Sequence, residues 1–104
     1  VYLDNVLMAS AAWGHTCAVR DDTLVYCWGY GGSGQLGAGP VASVLFPEAL
    51  YSPSGAVQVS SGWAHTCVVL DTGSLRCWGQ NINGQLGIGY TSGPSAGPVT
   101  PVGF

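Results

Sequence analysis

Two sets of histidine and cysteine residues, identical in spacing, are the part of this sequence most able to do chemistry. In each set a cysteine follows the histidine by two positions and a second cysteine comes ten positions later: His15, Cys17 and Cys27, then His65, Cys67 and Cys77. Such side chains can bind zinc, form a nucleophile–base pair or, through the cysteines, form disulfides. Structural zinc usually has a fourth ligand and cysteines only roughly two to four residues apart, so a zinc site fits weakly. Duplication of the set favours a scaffold over catalysis, and we predict neither an active site nor a metal site.

The cysteines of each set are expected to meet across a β-hairpin. Short β-prone segments flank a polar turn in both copies, which is typical of such a hairpin. If residues 21–23 form a three-residue loop, Cys17 lies directly opposite Cys27, and the second copy has the same spacing. Directly opposed Cα atoms in an antiparallel pair are about 4.5–5.5 Å apart, a distance that a disulfide can bridge. Of the three pairings that four cysteines allow, we predict the bonds Cys17–Cys27 and Cys67–Cys77.

The two predicted loops differ at their third residue, where a three-residue hairpin loop favours left-handed backbone. Gly73 suits that conformation, whereas Thr23 suits it poorly, so we expect the first loop to be distorted. Asp21 and Asp71 open the two loops, and we expect their side chains to accept backbone hydrogen bonds there.

Both histidine–cysteine sets belong to a longer repeated segment. Residues 13–39 read WGHTCAVRDDTLVYCWGYGGSGQLGAG, and residues 63–89 read WAHTCVVLDTGSLRCWGQNINGQLGIG. The segments align without a gap, share 14 of 27 residues and repeat with a period of 50. A period of about 20–50 residues is typical of solenoids and propellers, whose units bury their apolar faces only against neighbouring units.

The elements within each unit are predicted to be strands. The chain contains 17 glycines and 6 prolines, and no window has the apolar periodicity of an amphipathic helix. Short β-rich segments recur between turn signals instead, and those containing Pro47 and Pro98 suit sheet edges or strand starts. We assign residues 1–50 to a first unit and residues 51–104 to a second, with a Ser/Thr/Gly/Pro-rich tail over residues 90–104.

The motifs His-Thr-Cys, Cys-Trp-Gly and Gly-Gln-Leu-Gly-x-Gly, each present twice, resemble those of the regulator of chromosome condensation repeat. The resemblance implies an all-β fold with two β-propeller-type blades of antiparallel strands. Propellers of this family close with several repeats, so two blades would form a partial propeller or part of a larger ring or fibre. Chromatin-bound relatives are intracellular, whereas disulfides indicate an oxidising compartment, so we expect this chain to be extracellular or on the cell surface.

Several repeated residues are predicted to be structural. We expect the histidines to bind neighbouring backbone, two tryptophans to fill the core between blades, and the glycine-rich segments to form tight turns in which glutamine binds backbone and leucine enters the core. Gly32–Gly37 also matches a dinucleotide-binding pattern, but the following Ala-Gly-Pro-Val prevents the helix which that pattern requires. No cofactor is expected. The predicted structural residues are His15, His65, Trp28, Trp78, Gly34, Gln35, Leu36, Gly37, Gly84, Gln85, Leu86 and Gly87.

The remaining two tryptophans are candidates for a binding surface or a subunit joint. Both lie on turns where the family more often has small residues, so we expect them to be exposed. The strand-like chain ends could likewise pair with another molecule. The candidate interface residues are Trp13, Trp63, Val1, Tyr2, Leu3 and Phe104.

Charge excludes several classes of partner. The net charge is −3, only 7% of residues are charged, and Arg20 and Arg76 are the only Lys or Arg residues. The chain therefore lacks the basic face that nucleic acid or an anionic membrane surface would require. No apolar run is long enough to span a membrane, and the tail is a candidate for O-linked glycan.

The predicted function follows from the two open faces of a two-blade unit. Each face would be apolar and flanked by strand edges, which pair with whatever fits them. We therefore predict a non-enzymatic extracellular structural or protein-interaction module that self-assembles, as a ring or head-to-tail fibre, or forms part of a longer propeller. The alternative is a binding propeller that acts on a protein partner through the loops of one face, as an exchange factor and a β-lactamase inhibitor of this family do.

Overall fold

The computed structural model describes residues 3–39 and 41–102, and within them it contains strands, turns and loops but no helix that could cross a bilayer. Eight strands form two antiparallel sheets, each with its strands in chain order. The first sheet contains β1 (Val6–Ala11), β2 (His15–Arg20), β3 (Val25–Gly29) and β4 (Val44–Leu50). The second sheet contains β5 (Ala56–Ser61), β6 (His65–Leu70), β7 (Leu75–Asn81) and β8 (Ser92–Val99). Three candidate interface residues lie outside the described residues: Val1, Tyr2 and Phe104.

The central hairpin of each sheet has the predicted register. Cys17 pairs with Cys27 across β2 and β3, and the equivalent pair forms across β6 and β7. The third loop residue has left-handed backbone in both cases, with φ 65° at Thr23 and φ 88° at Gly73. In both loops its N–H donates to the carbonyl three positions earlier, at 2.9 Å. The expected distortion of the first loop is therefore absent, because Thr23 adopts the conformation that glycine adopts in the second.

The side chains that bind the loop backbone lie one position later than predicted. Asp22 Oδ1, and not a carboxylate oxygen of Asp21, accepts the N–H of Leu24 at 3.0 Å. In the second loop the equivalent acceptor is Thr72 Oγ1, at 3.5 Å from the Ser74 nitrogen. An oxygen at the second loop position reaches the N–H two residues further on, which is the geometry of an Asx or Ser/Thr turn.

The hydrophobic core lies between the two sheets, where β1 and β2 pack against β5. Because side chains alternate along a strand, each sheet directs one set of residues inward and the other set outward. Buried residues of both sheets and of the loop after β3 form one cluster: Cys17, Val19, Val25, Cys27, Leu36, Ala56, Val59, Val68, Leu70 and Trp78.

The strands that contain Pro47 and Pro98 lie at sheet edges. β4 is the last strand of the first sheet, and β8 is the last strand of the second. Proline has no N–H to donate to a neighbouring strand, so an edge accommodates it at little cost.

Candidate functional site

Hydrogen bonds that converge on one backbone carbonyl join the two blades. Gln35 O, in the loop after β3, accepts from Thr66 Oγ1 at 2.8 Å and from Trp78 Nε1 at 2.9 Å. His15 Nε2 lies 2.9 Å from Thr66 Oγ1. All four residues are buried, and two come from each blade. Because a buried polar group is costly to leave unpaired, these bonds fix the position of one blade on the other.

The same contacts determine the protonation of His15. The single hydroxyl proton of Thr66 is donated to Gln35 O, so the Thr66 oxygen must accept from the Nε2–H of His15. His15 Nδ1 is then unprotonated, and it is buried without a partner among the described residues. Burial lowers the pKa of His15, and the nearby His65 lowers it further. The ring thus binds a side-chain hydroxyl of the neighbouring blade.

A second group of hydrogen bonds joins β1 to β5. Ser61 N donates to Ser10 Oγ at 2.9 Å, and Ser61 Oγ donates to Ser10 O at 3.2 Å. At the other end of the strands, Ala56 N donates to Thr23 O at 3.0 Å. Sequence reasoning gave these serines no role and noted Thr66 only as a member of the His-Thr-Cys motif. The signal that could have identified Thr66 is the threonine at the same position of both repeats.

The glycine-rich loops support the carbonyl at the blade interface. Each glutamine side chain accepts the backbone N–H two residues before it, at 2.8 Å for Gln35 and 2.9 Å for Gln85. The leucines that follow them, Leu36 and Leu86, are buried. The glycines of both motifs have left-handed backbone: Gly34, Gly37, Gly84 and Gly87.

Most residue types of this inner interface occur again on the two outer faces of the unit. An outer face is the surface of a sheet that points away from the other blade. The outer face of the first blade carries Thr16 and Trp28, the copies of Thr66 and Trp78. The outer face of the second blade carries copies of the serine, histidine and glutamine of the inner interface: Ser60, His65 and Gln85. Burial lowers the pKa of His65, as it does that of its copy.

The two tryptophans predicted to fill the core differ in burial. Trp78 is 0% exposed, in contact with the loop that carries Gln35. Trp28 is only half-buried. It lies on the outer face of the first blade, and no other blade among the described residues packs on that face. The inter-blade position therefore stays a prediction for Trp28.

Both predicted disulfides are present, one in each central hairpin. Cys17 bonds to Cys27 and Cys67 bonds to Cys77, with Cα atoms 4.1 Å apart in each pair. Oxidised in this way, the sulfurs do not offer thiolates to a metal or a substrate. The first bond is buried between the blades, whereas Cys67 is half-buried on the outer face of the second blade.

One end of the strands is aromatic and uncharged. We call it the aromatic end; it comprises the loops that follow β1, β3, β5 and β7, which lie at residues 12–14, 30–43, 62–64 and 82–91 and contain no charged residue. Trp13 and Trp63 are 77% and 66% exposed there, with ring centroids 5.4 Å apart. Beside them a groove of about 220 Å³ extends to Tyr30, which is also exposed.

The opposite end of the strands carries most of the charge. Arg20 forms ion pairs with Asp4 at 3.2 Å and with Asp22 at 3.5 Å, and Tyr26 donates to Asp22 at 2.7 Å. The hydrogen bond from Tyr26 lowers the pKa of Asp22 and raises that of Tyr26. Leu3, the described member of the chain-end candidates, is half-buried and precedes Asp4 at this end.

Two family models, both described as the Regulator of chromosome condensation (RCC1) repeat, match the chain, one over residues 22–69 and the other over residues 56–85. No curated protein sequence matches the chain significantly.

Solved structures with the same fold include human WBSCR16, with 24% identity and a TM-score of 0.80 over 95% of this chain and 26% of that one. Prp20p from Saccharomyces cerevisiae, described with its binding properties to Gsp1p and histones, has 18% identity and a TM-score of 0.86 over 96% of this chain and 26% of its own. Yeast RCC1 (Prp20) bound to Kap60 has 18% identity and a TM-score of 0.81, over 96% of this chain and 24% of that one. This chain thus spans about a quarter of the length of these structures.

The comparisons and the geometry agree on what the repeats are. The two repeat matches together span residues 22–85, more than half of the chain, and the solved structures share its arrangement of antiparallel sheets. The chain therefore belongs to the regulator of chromosome condensation repeat family and consists of two all-β propeller blades.

Proposed function

We propose that this protein is a non-enzymatic, extracellular structural and protein-interaction module whose outer blade faces pair with blades of the same kind. Those blades belong to further copies of the chain, in a ring or head-to-tail fibre, or to a longer propeller. The observation that carries the proposal is that the four residues bonded at Thr66 and at Gln35 O each have a like residue on an outer face, although Ala11 stands where the second blade has Ser61.

The inner interface provides the template for such pairing. If a first blade packed onto the outer face of a second blade, Thr16 and Trp28 could donate to Gln85 O as their copies donate to Gln35 O. Likewise His65 could donate to Thr16. Within this set of four, every copy keeps the required donor or acceptor, whereas Ala11 cannot replace the Ser61 hydroxyl that donates to Ser10 O.

The outer faces also have the shape and polarity of an unfilled blade interface. A groove of about 370 Å³ is lined by five residues of the second blade together with Met8 of the first: Gln58, Val59, Ser60, Cys67 and Val69. On the first blade, the ring of Trp28 is half-buried, whereas its copy Trp78 at the filled interface is buried. Repeat units of this kind gain stability mainly from the interfaces with their neighbours.

Two further observations support the biochemical class. Both disulfides are of the kind that persists in oxidising compartments, which supports an extracellular location. The yeast relatives were solved or characterised with protein partners, which supports protein binding over catalysis.

Self-assembly is tested by measuring the mass of the chain in solution by light scattering over a range of concentrations. We expect species at multiples of 10.6 kDa that grow with concentration. Trp28→Ala should abolish them, because it removes both the apolar area and the N–H that the neighbouring blade would bind. A single 10.6 kDa species at every concentration would contradict pairing between copies.

A tandem fusion of two copies tests whether the outer faces match at all. The Trp28 of the second copy would then lie at the new interface, while that of the first copy stays on an outer face. We expect Trp28→Ala in the second copy to lower the free energy of unfolding by about 3–5 kcal/mol, as for a buried tryptophan, and the same change in the first copy to have little effect. Equal effects at both sites would refute both versions of the proposal.

A further inference from the structure

We propose that the aromatic end binds an uncharged, proline-rich segment of a protein partner. The site is separate from the outer blade faces, which pair side to side and leave the loop ends open. Trp13 and Trp63 provide its platform: the rings are tilted by 38° with centroids 5.4 Å apart, so they contact each other and present one continuous aromatic surface. Because no gap separates the rings, a cation cannot insert between them as it does in an aromatic cage.

The groove next to this platform has the lining of a proline-binding site. Tyr30, Ser33, Gln35 and Ala64 line it together with the two tryptophans. The phenol ring of Tyr30 lies against Gly32, where a Cβ would overlap it, so this glycine allows the ring to hold its position. Proline-rich segments bind in grooves lined by aromatic residues, because their rigid polyproline II conformation loses little entropy on binding.

The hydrogen-bonding groups of the platform match the same ligand. Trp78 Nε1 donates to Gln35 O, but among the described residues neither Trp13 Nε1 nor Trp63 Nε1 has such a partner, and both indoles are exposed. An indole N–H can only donate, so it requires an acceptor. The carbonyls of a polyproline II segment make no internal hydrogen bonds and are free to accept.

Charge and polarity favour a protein segment over a sugar. The described acidic loop residues lie at the opposite end, and a centre rich in aromatic residues but without charge is typical of protein interfaces. A sugar carries many hydroxyls that need partners, yet the groove offers few polar side chains. Gln35 is 2% exposed and its Oε1 already accepts the N–H of Ser33. Sugar hydroxyls would therefore lose hydration without adequate compensation.

The test is a titration of the full chain with a capped polyproline peptide of about ten residues, followed by calorimetry and by tryptophan fluorescence. We expect saturable binding, and an increase in Kd of roughly tenfold or more in Trp13→Ala and in Trp63→Ala. The matched control is Tyr51→Ala, because Tyr51 is an aromatic residue that is 80% exposed in the loop between β4 and β5, at the opposite end of the strands. Its Kd should equal that of the unchanged chain.

A neutral oligosaccharide, cellohexaose, is titrated in parallel. Absence of peptide binding at millimolar concentration would overturn the proposal. So would binding of the oligosaccharide in place of the peptide, or an equal loss of affinity in the Tyr51 control. Circular dichroism and the disulfide content of each variant verify that it is folded, which we expect because the replaced rings are exposed.

Discussion

The two blades share 14 of the 27 residues of the repeated segment, but they bury opposite faces. On the face of the first blade that meets the second blade, His15, Cys17 and Val19 are buried. Their copies on the same face of the second blade are half-exposed: His65, Cys67 and Val69. On the other face the relation is reversed: Thr66 and Trp78 are buried, whereas Thr16 and Trp28 are half-exposed. Burial in a repeat protein is thus a property of the adjacent repeat and not of the residue alone.

The two interior tryptophans give the largest expected contrast. Trp78→Ala should lower the free energy of unfolding by about 3–5 kcal/mol, because it leaves a large cavity and removes one of the two hydrogen bonds that Gln35 O accepts. Trp28→Ala should lower it by about 1 kcal/mol or less in the dilute chain, where that ring is half-exposed. Urea denaturation of both variants at low and high protein concentration measures the contrast. If both variants lost the same free energy of unfolding in the dilute chain, burial would not depend on the neighbouring blade.

The two disulfides should differ in accessibility more than in stability. Replacing either pair by alanine should cost about 2–3 kcal/mol, because each bond closes a loop of the same length. A reductant should reach Cys67–Cys77 before Cys17–Cys27, since Cys67 is half-exposed and Cys17 is buried between the blades. Timed reduction, alkylation and mass spectrometry give the order. Simultaneous release would show that the outer face is covered in solution.

The hairpin loops provide a smaller and reciprocal test. Gly73→Thr should destabilise by about 1–2 kcal/mol through backbone strain alone, because no atom lies within 4 Å of the position that a Cβ would take. Thr23→Gly should stabilise by about 0.5–1 kcal/mol, since relief of strain outweighs the greater freedom of glycine in the unfolded chain. Thermal denaturation measures both. Stabilisation by threonine at position 73 would show that the left-handed backbone costs nothing there.

The smallest effect we expect is a pH dependence that arises mainly from His15. Its pKa lies below the ordinary value of 6.5 in the folded chain, so below pH 6.5 the unfolded state binds more protons than the folded state. The free energy of unfolding should therefore be greatest above pH 6.5 and fall as the pH is lowered towards the folded pKa. His15→Gln keeps an N–H donor for Thr66 and should flatten this slope more than His65→Gln. A slope of opposite sign would show that the buried ring is charged.

The sequence contained enough information to predict the centre of each blade. The spacing of Cys17 and Cys27 determined the register of the hairpin, because only one three-residue loop places them opposite each other. The repeat and its motifs predicted the all-β class and the blade architecture. Local chemistry dominates in both cases, so a single sequence was sufficient.

The parts that depend on contacts between blades were harder to predict. Nothing in the sequence distinguishes Trp28 from Trp78, because the difference lies in which neighbour is present. The hydrogen bonds of Thr66 could not be predicted without the three-dimensional structure, since its partners Gln35 and His15 are 31 and 51 residues away in the sequence. The separation of charge between the two ends could have been found by assigning alternate loops to alternate ends of the predicted strands.

Each disulfide joins the two middle strands of its sheet, and the outer strands, here called rim strands, carry no disulfide: β1, β4, β5 and β8. Loss of structure should consequently begin at rim strands β4 and β8, because β1 and β5 also pack between the two sheets. The middle pair meanwhile remains a closed covalent ring. A molecule that has released a rim strand keeps the hydrogen-bonding edge of the middle pair. That strand, or the equivalent strand of another molecule, can then pair with this edge. Exchange of rim strands between molecules would then require no change in the oxidation state of any sulfur.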